Sequence, residues 1–179
     1  MAKSNITINQ YACSLSPEIR EWLAKIDKLM LDNGCRTASG VVSNSKRNDG
    51  KFTYTSKKSK KTVCIINIGT SGCFISLRAN HFIHPNGTCA GNILDKLPEN
   101  IFNFVIKGAG CPPALTSCIL PDYNVNPNCK CCHGHAEVFE YNGHKSHRCP
   151  HFGWNFELNK LENYDIITEW IKNELVWRP

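Results

Sequence analysis

Thr62-Val63-Cys64-Ile65-Ile66-Asn67-Ile68-Gly69 is the stretch that decides how this chain is read. It is too short for a buried helix and rich in β-branched residues, and its apolar run is broken only at Asn67. It therefore reads as a central strand of a sheet. The neighbouring runs are more mixed. Upstream lie Thr37 to Ser43 and Lys51 to Ser56, and downstream lies Cys73 to Ala79, with Phe74, Ser76, Leu77 and Arg78 of mixed character. Asn48-Asp49-Gly50, a lysine cluster and Ser71-Gly72 separate the four runs and supply turn chemistry, which predicts an antiparallel meander.

Further outward the periodicity changes. Ser16 is a good N-cap and Pro17 suits the first helical position, and Ile19, Trp22, Leu23, Ile26, Leu29 and Met30 form one apolar stripe that ends at Asn33-Gly34. Asn80 to Gly91 is loop-like. Asn92 to Val105 carries an apolar pattern interrupted by Pro98, as expected for a short helix, a break, and a second helix or strand. Pro112, Pro113, Pro121 and Pro127 exclude long regular elements between Gly108 and Asn128 and mark a module boundary. Ala136 to Tyr141, the turn Asn142-Gly143 and His144 to Cys149 make the clearest hairpin signal. A helix from about Asn163 closes the chain, its Ile166, Ile167, Trp170, Ile171 and Leu175 requiring a partner surface.

The composition, 41% hydrophobic and 20% charged over 179 residues without an internal repeat, is that of a globular protein able to bury a core. No apolar stretch follows Met1-Ala2-Lys3-Ser4-Asn5, and no run of about eighteen uncharged apolar residues occurs anywhere, so a cytoplasmic protein with no membrane partner is expected. In such a compartment its eleven cysteines are not expected to form disulfides. Seven of them (Cys13, Cys35, Cys64, Cys73, Cys89, Cys111 and Cys118) are scattered and read as small buried hydrophobes. The formal charge is +6, and the stretch from Asn44 to Lys61 holds the whole excess.

The other four cysteines are not scattered. Between Cys129 and His151, 23 residues contain Cys129, Cys131, Cys132 and Cys149 together with His133, His135, His144, His147 and His151. In Cys129-Lys130-Cys131-Cys132-His133-Gly134 the C-x2-C spacing aims two sulfurs at one point, as tetrahedral zinc demands. The hairpin then returns Cys149 and a histidine to the first pair. Cys129, Cys132, Cys149 and His151 are the expected ligands of one Zn2+. The fourth position stays open among His151, His147 and Cys131, because Phe152 stands where a second knuckle ordinarily ends in cysteine. Three thiolates and a neutral imidazole leave a net charge of about minus one and no open coordination position, the mark of a structural site. His-rich surroundings suit zinc better than an iron-sulfur cluster.

Other features are weaker. Lys57, Lys58, Lys60 and Lys61, with Phe52 and Tyr54 nearby as stacking groups, read either as a nucleic-acid contact or as a solvated hairpin tip. His81-Phe82-Ile83-His84 has metal-compatible spacing but loop-forming neighbours. Gly69-Thr70-Ser71-Gly72 reads as a turn, and Gly108-Ala109-Gly110 precedes prolines rather than a helix, so neither cradles a phosphate. No nucleotide-binding or hydrolase motif is present, and no catalytic residue is assigned.

Two resemblances complete the reading. Cys129 to His151 resembles a zinc ribbon. Ile8-Asn9-Gln10-Tyr11, Ser16 to Leu23, and Gly50-Lys51-Phe52-Thr53-Tyr54 leading into Val63 to Ile68 resemble the YdhG-like family, α+β domains that include frataxin-like iron chaperones, over residues 8–107. The expected fold is α+β, an antiparallel sheet with packing helices plus a small zinc-ribbon-like hairpin module. The expected divisions are a core at 1–110, the insert at 111–161 and a helix at 162–179 packing on the core. The expected role is a zinc-binding interaction module with a protein partner rather than an enzyme. The family resemblance implies a metal chaperone as an alternative, and the ribbon with the lysine cluster offers nucleic-acid binding as another.

Overall fold

The computed structural model describes residues 7–41, 50–69, 72–78, 97–129, 136–141, 143–148, 153–161 and 164–177. Two compact units result, one formed by Met1–Arg78 with Asn155–Pro179 and the other by Ala79–Trp154.

In the first unit α1 (Ile8–Tyr11) and a 3-10 turn (Ala12–Ser14) lead into α2 (Pro17–Asp32). Ser16 Oγ accepts from the amide of Ile19, Pro17 opens the helix, and Ile19, Trp22, Leu23, Ile26 and Met30 are its buried residues. Gly34, at φ 75°, turns the chain out of the helix in a conformation that costs glycine nothing.

There follow β1 (Cys35–Val41), β2 (Gly50–Ser56), β3 (Thr62–Gly69) and β4 (Gly72–Leu77), each antiparallel to the next. A fifth strand, β7 (Trp154–Glu157), adds beside β4, so the order is β1-β2-β3-β4-β7 and β3 is central. The register sets Phe52 beside Ile66 and Ile66 beside Ile75, and it sets Tyr54 beside Cys64 and Cys64 beside Leu77. These side chains share one buried face.

The helices lie on that face. Tyr54 donates its hydroxyl to Asp27 of α2 at 2.7 Å, and the Tyr11 ring meets Phe52 edge-on at 5.8 Å. Gly50 sits under Tyr11, where any Cβ would collide with the ring. The last helix, α4 (Asp165–Trp177), buries Ile167, Trp170, Ile171 and Leu175 and joins α2 through a 2.9 Å bond from Trp22 Nε1 to Thr168 Oγ1. The α+β class with an antiparallel sheet and packing helices therefore stands. Among the described residues no helix is long and apolar enough to cross a membrane.

The second unit contains α3 (Glu99–Ile106), for which Pro98 is the N-cap, and the hairpin of β5 (Glu137–Tyr141) and β6 (His144–Arg148). A two-residue turn joins the strands, with Gly143 at φ 77°. Val105 of α3 is fully buried, and its carbonyl accepts from Ser146 Oγ and Trp154 Nε1, each at 3.4 Å. Ala109 bridges Arg148 in parallel and donates to the His147 carbonyl at 2.9 Å.

Two expectations need correction. Phe52 and Tyr54 are 1% and 0% exposed, so they cannot stack on bases: strand alternation turns them to the helix side and leaves Lys51 outside. Cys13 is exposed, its Sγ donating to the carbonyls of Asn9 and Gln10, whereas Cys35, Cys64, Cys73 and Cys118 are buried as expected and Cys111 partly so. Cys89 and the His81 to His84 run lie outside the described residues.

Candidate metal centre

Pro-rich chain without regular structure would position a ligand poorly, yet the segment ahead of Cys129 is tightly stitched. Ile119 bridges Val125 antiparallel, and Leu120 exchanges bonds with Asn124 and Tyr123, the latter in a left-handed conformation at φ 65°. Asp122 fastens this tip by accepting from the Asn124 amide and side chain at 3.0 and 2.6 Å, and those bonds, the amide first, hold its carboxyl below the ordinary carboxylate range. Asn126 locks the base. Its buried amide donates to the Ser117 carbonyl at 2.8 Å and accepts from the Asn128 amide at 3.0 Å, while its backbone carbonyl accepts from Cys129 at 3.2 Å.

Sequence reasoning assigned Asn126 no role, although Asn126-Pro127 is a turn-forming pair whose side chain readily replaces a backbone partner. It is the residue that fixes where Cys129 emerges.

Cys129 itself is half-buried. With Cys111, Tyr123 and Val138 it packs against a small core of Cys118, Ile119 and Ala136. Cys111 and Cys118, scattered in sequence, thus join the neighbourhood of Cys129. Ala136 immediately precedes β5, so the residue that opens the hairpin and Cys129 meet in one core. At this same open end of the hairpin, Glu137 pairs with Arg148, the residue before Cys149.

Cys132, Cys149 and His151, and likewise Cys131, His133 and His135, lie outside the described residues. His144 is exposed, its ring 6.2 Å from that of Phe102. Among the described residues no group of three or more His, Cys, Asp or Glu gathers in a metal-binding arrangement.

No family model, curated protein or solved structure matches the chain. What the site can do chemically is therefore read from its residues. His147 is buried, with Nε2 2.8 Å from the Cys111 carbonyl and Nδ1 buried without a hydrogen-bond partner. Burial lowers its pKa, against a smaller upward pull from the Cys111 carbonyl, so the neutral imidazole is the favoured form. A neutral imidazole with one orphaned nitrogen, beside a core that holds three thiols, fits a soft or borderline divalent cation in its donor chemistry.

The lysine cluster forms the β2–β3 turn. Lys57, Lys58, Lys60 and Lys61 are all exposed there, Lys60 at φ 59°, and Ser56 closes the turn by donating its amide to the Lys61 carbonyl at 3.0 Å.

Proposed function

We propose that the chain is a metal-binding protein holding one structural zinc in the module from Cys129 to His151, through Cys129, Cys132, Cys149 and a histidine. One observation carries this reading. The described residues that flank the ligand-bearing stretches, Cys129, Ala136 and Arg148, are held together, the first two in one core and the third across the strand pair that Glu137 begins. A hairpin closed in this way, with thiols and imidazoles next in sequence to its closed base, suits a closed tetrahedral site. Such a site contributes folding free energy and leaves no coordination position for substrate, so the module serves stability or presents a surface to a partner protein rather than catalysis.

Elemental analysis of protein purified without added metal tests this directly. One zinc per chain is expected, and Cys129→Ser should abolish it. Protein that holds no metal would sink the reading. Iron in place of zinc, released readily to a mild chelator, would instead support the chaperone reading that the family resemblance implies.

Nucleic-acid binding is the second reading, favoured only by the four exposed lysines of the β2–β3 turn. With Phe52 and Tyr54 buried it would rest on phosphate contacts alone, and its affinity would have to fall steeply with salt.

A further inference from the structure

A histidine bound to zinc ordinarily donates the hydrogen of its second ring nitrogen to a carboxylate or a backbone carbonyl, which fixes both the ring and its tautomer. His147 is built this way. A carbonyl can only accept, so the 2.8 Å contact with Cys111 places the ring hydrogen on Nε2. Nδ1 then carries a bare lone pair. The side chain is 2% exposed, and Nδ1 is buried with no protein donor to satisfy it. Leaving such an atom unsatisfied is costly, and a buried polar group in that condition requires an explanation.

The ring is also fixed in place before any ion arrives. Gly108, at φ 84°, lies against its Nδ1–Cε1 edge, where a Cβ would come within 2.6 Å of both atoms. The Tyr123 ring stands 6.3 Å away, and His147 is paired with Val138 through β6. Tyr123 and Cys111, the two neighbours that orient His147, pack against the same core as Cys129. The histidine and the first thiolate ligand therefore share their supports.

We propose that His147, through Nδ1, is the histidine ligand of the zinc, with the Cys111 carbonyl as the group that orients it. This assignment rests on the zinc reading above and replaces His151 in the ligand set. It accounts for the orphaned nitrogen: the lone pair that no protein donor meets is the one that the cation takes. It also gives Cys111 a role that its scattered position in the sequence did not suggest, as a positioning residue acting through its backbone.

The test uses the unmodified chain, because His147→Gln removes a buried side chain and is liable to fail to fold. Zinc-loaded protein with isotopically labelled histidine nitrogens is examined by NMR, and the zinc is then exchanged for NMR-active cadmium. The expected result is a hydrogen on His147 Nε2 and a scalar coupling between cadmium and His147 Nδ1. Metal-loaded protein in which the coupling runs to His151, or in which His147 Nδ1 keeps the resonance of an uncoordinated lone pair, overturns this assignment and leaves the zinc reading standing. A chain that takes up neither metal overturns both.

Discussion

Cys64 and Cys73 lie on the buried face of the sheet, and burial changes their acid-base chemistry. It pushes the Cys64 thiol well above its ordinary 9.0, with a further upward pull from Cys35, and the Cys73 thiol up to about 12. The sign of the consequence follows. Below the unfolded value both states keep the proton and the stabilisation is complete. As pH rises past 9.0 the unfolded thiols ionise first, and stability falls until the folded values are reached. The slope is about 1.4 kcal/mol per pH unit for each thiol. The urea midpoint should accordingly hold up to about pH 8 and drop by about pH 10.5, and Cys73→Ala should flatten the drop. A midpoint unchanged over that range would contradict the burial of these groups. None of this was legible beyond the apolar company that Cys64 keeps. The roles of His147 and Asn126 were hidden for a different reason: each depends on a carbonyl distant in sequence, that of Cys111 for the one and that of Ser117 for the other.

Elements were more legible. The stripe and cap of α2 were read to within a residue because both are local signals, with the cap three residues from the amide it satisfies. Ser16→Ala should cost about 1 kcal/mol and lower the thermal midpoint by a few degrees, while Ser16→Asp should keep it, because a carboxylate also caps and suits the positive end of the helix. Equal melting of all three proteins would show that the 3.4 Å bond contributes nothing. The four strands of the meander emerged near their expected limits, since glycine turns and lysine-rich polar residues bound each run. β7 was missed. It spans only Trp154–Glu157, directly after residues read as a zinc knuckle, although its buried Trp154 and Phe156 alternate with the more exposed Asn155 and Glu157.

At the scale of the molecule, most of the helix belongs to the unit that does not carry the candidate metal module. Among the described residues α1, α2 and α4 belong to the unit of Met1–Arg78 with Asn155–Pro179, and only the short α3 belongs to Ala79–Trp154. Chelation of the proposed zinc should therefore abolish hydrogen-exchange protection in β5 and β6 while most of the helical circular dichroism survives. Loss of the helical signal in step with the metal would show that the ion is not confined to that module. Retention of protection in the hairpin after complete removal would show that the ion is not structural.

Periodicity, capping and turn chemistry act over a few residues, so the amino-acid order was enough to specify α2, the meander, the hairpin and the concentration of thiols and imidazoles after Cys129. Burial and partnership are set by groups that meet only when distant segments close on one another. Folding alone turned Phe52 and Tyr54 away from the lysines, drew Cys111 and Cys118 to Cys129, and laid β7 beside β4. It also left Nδ1 of His147 buried without a donor, because the carbonyl that claims the other nitrogen comes from a loop 36 residues away.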